Sequence, residues 1–169
     1  VDLGCGRGQD VVRAAGRVGA EGLAIGVDLS EEMLEKARRT VPPFLANVRL
    51  VRSGLAPLDL ADATADVVIS NCTINHAPDK VAVFREIHRV LRPGGRFVVS
   101  DVIAEAELPL VVREDPAAWA ACYGGAIPEA EYVAAVRRAG FDALEVLERS
   151  EPYDKGGVRV LSLTLKGTK

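Results

Sequence analysis

Residues 1–8 read VDLGCGRG: the end of an apolar strand runs straight into a turn with glycine at positions 4, 6 and 8. Glycines in a turn after a strand let a ligand approach backbone amides closely. The dinucleotide fingerprint G-x-G-x-x-G would put its third glycine at position 9, where this chain has Gln9. The glycine falls at Gly8 instead, giving G-x-G-x-G. Such a turn also serves as a plain strand-to-helix connection. Asp28 tips the balance toward a nucleotide: it closes the next strand, GLAIGVD, about where a ribose diol lies in folds of this kind. A strand of ordinary length needs a few residues before Val1, so the expectation is that a natural N-terminal segment precedes this chain.

Working outward, strands and helices alternate. Gln9 to Val18 has a helical pattern, with Gly19 as its stop. Ser30 caps a second helix with Glu31 and Glu32 in its first turn, where carboxylates suit the helix dipole. NVRLV (47–51) and ADVVIS (65–70) are strands, the second apolar on both faces as a buried parallel strand should be. Asp79 caps a helix through Leu91 whose apolar stripe is Val81, Phe84, Ile87 and Leu91. RPGG stops it, and RFVVSD (96–101) is a fifth strand. An irregular stretch, a short helix over Ala117 to Cys122 and a helix from Pro128 to Ala139 follow. FDALEVLER and GVRVLSLTLKG close the chain as two strands joined by SEPYDKGG, a loop suited to an antiparallel hairpin. The pattern predicts an α/β domain: a doubly wound, mostly parallel sheet with an antiparallel C-terminal hairpin. Ligands of such sheets bind outside the carboxyl ends of the strands, and Asp2, Asp28, Ser70, Cys72 and Asp101 lie near those ends.

Bulk properties exclude several classes. The 169 residues are 49% hydrophobic and 27% charged, enough for one core. A net charge of −3 carries no footprint for nucleic acid or an anionic membrane. No apolar run approaches the roughly 20 residues of a membrane helix. Three widely spaced cysteines argue against a disulfide framework and for the reducing cytoplasm.

VDLGCGRG, GVDLS, ADVVIS and REIHRVLRPGGRFVVSDV, in this order and spacing, resemble class I methyltransferases that use S-adenosylmethionine (SAM). The resemblance implies a single Rossmann-like domain over residues 1–169. Carried over by motif, it assigns Asp2, Gly4, Gly6 and Gly8 to the methionine part of the cofactor and Asp28 to the ribose hydroxyls. It sets Ser70 and Asn71 by the transferring methyl. One position departs. The family commonly has an acid just after the third strand, accepting from the adenine amino group; this chain has Gly54. The backbone at Leu55 can still meet the adenine edge. One charge-assisted hydrogen bond lost, roughly 1.5–3 kcal/mol, would weaken cofactor binding by about tenfold to a hundredfold.

SNCTINHAPDK (70–80) resembles more narrowly the arsenite methyltransferases, as does LPLVVREDPAAWAACYGGAIPEAEYVAAVRRAGF (108–141). This implies that residues 102–127 form a substrate-side insertion, and that Cys72 and Cys122 are the catalytic ligands of trivalent arsenic. Either cysteine alone is as readily a small buried hydrophobe; the two segments together favour the metalloid. Trivalent arsenic is soft, as thiolate ligands prefer. It keeps a lone pair, so holding and aligning it is the main task, and alignment can supply roughly 7–11 kcal/mol of barrier reduction. The family pattern also has cysteines upstream of the glycine turn. A third thiol would therefore come from a preceding segment or from a small thiol such as glutathione, and glutathione or thioredoxin is the implied reductant. Cys5 is expected to be packed. A single C-x3-H pair, Cys72 and His76, is a poor zinc signal, and His76 is expected as an exposed loop residue where the family more often has an apolar one. His88 is expected to be partly buried, and Trp119 either packs the insertion or walls the pocket.

Two other functions remain open. One is a methyltransferase of a small organic acceptor, which for an oxygen acceptor calls for a general base, with His76 the only histidine at hand. The other is a non-catalytic SAM- or arsenic-binding module. Turnover with arsenite separates the last from the first.

Overall fold

Asp2–Leu3 form β1, a two-residue strand hydrogen-bonded on both sides. It is the middle one of the five parallel strands in this computed structural model, which describes residues 1–169. Around it the chain lays down α1 (Gln9–Val18), β2 (Ala24–Asp28), α2 (Glu31–Thr40), β3 (Val48–Arg52) and β4 (Ala65–Asn71). A one-turn 3-10 helix (Ile74–His76) leads to α3 (Lys80–Val90) and β5 (Leu91–Ala104). Then come α4 (Leu110–Arg113), α5 (Pro116–Ala120), α6 (Glu129–Arg138), β6 (Ala143–Arg149), β7 (Tyr153–Lys155) and β8 (Val158–Thr168). The strand order is β3-β2-β1-β4-β5-β8-β6, with β7 on β8. The first five strands pair in parallel, and β8 runs antiparallel to β5, β6 and β7. The expected α/β doubly wound sheet with an antiparallel C-terminal end is what forms.

Both faces are covered. On one, Val11 and Ala15 of α1 and Leu34 of α2 pack with Cys5 and Ala24. On the other, Val83, Phe84, Ile87 and Val90 of α3 and Tyr132 and Val136 of α6 enclose the larger core with Phe97 and Phe141. Phe97 and Phe141 meet edge to face at 4.7 Å between centroids, and Phe84 meets Tyr132 likewise at 5.6 Å, the arrangement aromatic quadrupoles favour. The caps act as their residue types predict: Ser30 Oγ accepts from the Met33 amide at 3.3 Å, and Asp79 Oδ1 from Ala82 at 3.0 Å.

Four local features differ from the sequence reading. The stripe of α3 is Val83, Phe84, Ile87 and Val90, with Val81 only half-buried; this face wraps against α6 as well as the sheet. β5 begins at Leu91, directly after α3, and continues to Ala104 because β8 pairs with it along Arg96 to Ala104. The irregular stretch holds a helical turn, α4, and the following helix ends at Ala120, leaving Cys122 beyond it. The loop SEPYDKGG contains β7, whose Tyr153, Asp154 and Lys155 pair with Val160, Arg159 and Val158.

The segment between β3 and β4 is held by one side chain. Arg89 donates to both Glu86 oxygens at 2.8 Å, to Asp62 at 2.7 Å, and to the carbonyls of Leu58 and Leu60 at 3.0 and 2.8 Å. Glu86 Oε2 in turn accepts from the Leu58 amide at 2.7 Å. Arg89→Ala should lower unfolding free energy by about 2 kcal/mol in urea titrations, because it strands two loop carbonyls. Asp62→Ala should change it by less than about 0.5 kcal/mol, since Asp62 is 78% exposed. Equal effects would refute the hub.

Candidate functional site

The glycine turn closes on β2. Gly4 and Cys5 donate to the Val27 carbonyl at 2.8 and 2.9 Å. One oxygen of Asp28 accepts from the Gly6 amide at 2.9 Å and the other from Ser30 at 2.9 Å. Asp28 thus fixes the turn while staying partly accessible. Gly4, Gly6 and Gly8 have φ of 71°, 51° and 80°, left-handed values that other residues rarely take. Gly8 also faces Ala37 of α2 at close range, whereas the space over Gly6 is open. Asp2 is buried beneath the turn. Burial first, then the charge of Asp10, pushes its carboxyl up to about 7. Acids at Asp2, Asp10 and Asp28 around open backbone suit a ligand with positive charge at one end and a diol at the other. Cys5 is buried with Val11, Ala15, Ala24 and Leu34, as expected, and burial raises its thiol to about 12. After β3, Gly54 has open space around it and Leu55 packs against the core.

The end of β4 lies beside this turn. A Cβ on Gly4 would overlap the Thr73 side chain, so the turn and the segment after Cys72 share a wall. Ser70 is buried and spends its hydroxyl on the Leu3 carbonyl at 3.0 Å, tying β4 to β1. Asn71 is exposed at the strand's end.

Cys72 and Cys122 come together. The two thiols are close enough that, after burial, the charge of Cys122 is the chief influence raising Cys72 to about 11. Both are half-buried free thiols. Both sit at positive φ, 57° and 66°, in a chain where Ala63 is the one other non-glycine residue there. Such backbone costs about 1–3 kcal/mol per residue and clusters at functional sites. His76 is exposed, and its Nε2 lies 3.3 Å from Cys122 Sγ. The site wall includes Tyr123, with Lys155 Nζ 5.8 Å from its ring centroid and Gly156 of the β7–β8 turn against its hydroxyl. Trp119 packs the segment before Cys122: its indole donates to Arg113 O at 2.7 Å and its ring covers Gly125. His88 is half-buried against Phe141, ring centroids 5.1 Å apart.

Several side chains behind the thiols have no role assigned by the motifs that contain them. Asp101 on β5 is 3% exposed and accepts from Tyr132 Oη at 2.6 Å. Burial raises its carboxyl to about 6, against the pull of Tyr132 and Lys80. Asn75 is buried and its Nδ2 donates to the carbonyls of Val102 and Cys122. The signal available in sequence was the spacing alone: an asparagine three residues after the cysteine, and a tyrosine in a helix whose other inward residues are aliphatic.

A cavity of about 520 Å³ lies by the amino ends of β2 and β3, among Ala15, Gly16, Leu23, Phe44 and Asn47. It offers no charged side chain and lies away from the strand ends where the polar groups converge.

Comparison with known proteins agrees with this geometry. Residues 1–151 match the methyltransferase domain family. The chain is 43% identical over 152 residues to an arsenite methyltransferase of Halobacterium salinarum, covering 89% of this chain and 39% of that protein. It is 40% identical over 157 residues to one of Aquipseudomonas alcaligenes, covering 88% and 45%. The chain therefore spans less than half the length of these curated relatives. Among solved structures it superposes on an arsenic(III) S-adenosylmethionine methyltransferase from Chlamydomonas reinhardtii with a TM-score of 0.86 and 34% identity, over 99% of this chain and 62% of that one. With the glycine turn, the acid after β2 and the strand order all in place, the chain belongs to the methyltransferase domain family, with S-adenosylmethionine as its cofactor.

Proposed function

We propose that this domain methylates trivalent arsenic, arsenite or methylarsenite, held between Cys72 and Cys122. The observation that carries the reading is the meeting of those two thiols, both on left-handed backbone, beside the turn of a SAM domain. The arsenite methyltransferases among its relatives support it.

Cys72 and Cys122 take the substrate by exchange. Each thiol gives its proton to a hydroxide on arsenic, an As–S bond forms, and water leaves. The raised thiol of Cys72 is therefore no obstacle, because the proton departs with the hydroxide. Two thiolates leave the arsenic pyramidal with its lone pair free, and the shared wall at Gly4 and Thr73 sets the thiols beside the cofactor turn. Asp28 receives the ribose hydroxyls. Asp2 answers the positive charge of the methionine part, Gly4, Gly6 and Gly8 open the turn, Leu55 offers its backbone to the adenine edge, and Ser70 and Asn71 shape the end of β4. Bound here, SAM supplies an electrophilic methyl on sulfonium. An external thiol, glutathione or thioredoxin, supplies the third sulfur or the reducing equivalents, in the reducing cytoplasm that keeps both cysteines free. No helix is long and apolar enough to cross a membrane. An organic oxygen acceptor would need a base, and the imidazole at hand, His76, is already engaged with Cys122.

Cys72→Ser and Cys122→Ser should each abolish methylation of arsenite and methylarsenite, since a hard hydroxyl does not replace thiolate on a soft centre. SAM affinity should survive in both, and Cys5→Ser should keep arsenical binding. A Cys72→Ser protein that methylates methylarsenite at the wild-type rate would refute the assignment.

Asp28→Asn keeps the side chain's shape and removes its charge. It should weaken SAM binding at least tenfold by calorimetry with unchanged circular dichroism; unchanged affinity in the folded variant would remove Asp28 from the ribose.

A pH dependence follows from Asp2. Its folded-state carboxyl, raised from 3.8 to about 7, stays protonated below neutrality, which stabilises the free fold at acid pH and is lost as pH rises through 7. A cationic ligand prefers the ionised form, so binding expels the proton and SAM affinity should rise about tenfold from pH 6 to pH 8. The measurement is calorimetry at both pH values against Asp2→Asn, which removes this component. Parallel profiles for the two proteins would show that Asp2 does not face the cofactor's charge.

A further inference from the structure

We propose that Asn75 is a positioning residue for the arsenic site: its amide holds the Cys122 segment in the conformation that brings Cys122 to Cys72. The inference rests on the reading of these two cysteines as the arsenic-holding pair. Asn75 is 1% exposed and lies on the single 3-10 turn that follows Cys72. Its Nδ2 uses both protons, one on the Val102 carbonyl of β5 and one on the Cys122 carbonyl at 3.2 Å. Two acceptors on the same side fix which end of the amide is nitrogen. One side chain thus joins the loop after β4, the end of β5 and a segment 47 residues away in sequence.

The bond falls where it is needed. Cys122 has φ 66°, a conformation a cysteine does not hold unaided. Its carbonyl is the one Asn75 binds, so the strained residue is anchored at its own peptide group. The contact is doubled three residues on: the Asn75 carbonyl lies against Gly125, where a Cβ would overlap it. His76, the next residue of the same turn, touches the Cys122 sulfur. By contrast, Asn75 Oδ1 is buried without a partner. A residue retained for packing alone would not leave a buried oxygen orphaned, since an apolar side chain of the same size avoids that cost. The amide is kept for its two donors.

The test uses the thiols themselves, with no arsenic. Dibromobimane becomes fluorescent when both its arms have reacted with thiols, and mass spectrometry locates the bridge. In the wild-type chain Cys72 and Cys122 should bridge rapidly. Asn75→Asp keeps the volume but turns both donors into acceptors; Asn75→Ser keeps one donor on a shorter arm and covers the case in which aspartate folds poorly. In either variant the bridging rate, normalised to single-thiol alkylation, should fall about tenfold, the effect of one lost hydrogen bond of ordinary strength. SAM affinity should stay within twofold, and the KM for methylarsenite should rise more than kcat falls. Normal bridging in a folded variant overturns the positioning role, whatever its melting temperature. A wild-type chain that does not bridge overturns the cysteine pair and this inference with it. Bridging that depends on Asn75 in a protein that methylates no arsenical supports the inference and sinks only the substrate.

Discussion

The contact between Gly4 and Thr73 sets the geometry of the whole site. Gly4 opens the cofactor turn, and Thr73 follows Cys72 at the end of β4, so the missing side chain at position 4 lets the two segments touch. β1 is only two residues long, yet it lies between β2 and β4 and receives hydrogen bonds from both. The turn is further fixed by two amides on the Val27 carbonyl and by Asp28 on Gly6. The distance from cofactor turn to thiol pair is therefore decided by backbone, not by flexible side chains. Rigidity of that kind is what a transfer relying on alignment, such as the one proposed, would need.

Strain and its restraint are divided between the two halves. In the cofactor half, left-handed φ falls on glycine, which accepts it without cost. In the thiol half it falls on Cys72 and Cys122, which do not. A glycine at either position would relieve the backbone and remove the sulfur. The cost is met by neighbours: Cys72 donates its amide to Ser100 O at 2.8 Å, and the Cys122 carbonyl is held by Asn75. Around them Trp119 closes over Gly125 and the β7–β8 turn closes over Tyr123. Between β5 and α6 the regular structure is limited to the short helices α4 and α5, and these contacts substitute for longer elements.

What was legible in the sequence was local or periodic. Gly4, Gly6 and Gly8, Asp28 after β2, the caps at Ser30 and Asp79, and the alternation of strands with helices each carry their signal within a few residues. The family-specific segments around Cys72 and Cys122 brought the two thiols to attention, although nothing in either segment alone says that they meet. What was missed depends on pairing at long range. β7 is three residues that are strand only because β8 extends past β6 to receive them. β5 outruns its apolar stretch for the same reason. His76 looked like an ordinary loop residue; its exposure was right, and its contact with a thiol 46 residues away was not visible. Asn75 belongs to the family-specific run after β4, but its role was not visible, because its two acceptors are backbone carbonyls and any sequence supplies those.

The buried charges behind the thiols follow a different logic. Asp101 and Lys80 are both nearly inaccessible, at 3% and 6% exposed. Burial raises the acid and lowers the amine, so each moves toward its neutral form while the other opposes the shift. They are not in ion-pair contact, since the Lys80 ammonium donates to the Ala77 carbonyl at 3.3 Å. The direct contact on Asp101 comes from Tyr132. Tyr132 reaches Asp101 from α6, Lys80 approaches it from the first turn of α3, and Val102, the next residue on β5, accepts from Asn75. Apolar packing is close but non-directional. The short hydrogen bond from Tyr132 to Asp101 adds direction, because displacing α6 along β5 strands a buried oxygen. The aromatic core sets how close α6 comes, and this polar contact sets its register against β5. The 3-10 turn that carries Asn75 and His76 is tied to the same strand separately, through the Asn75 bond to Val102, and the second Asn75 bond passes that position on to Cys122.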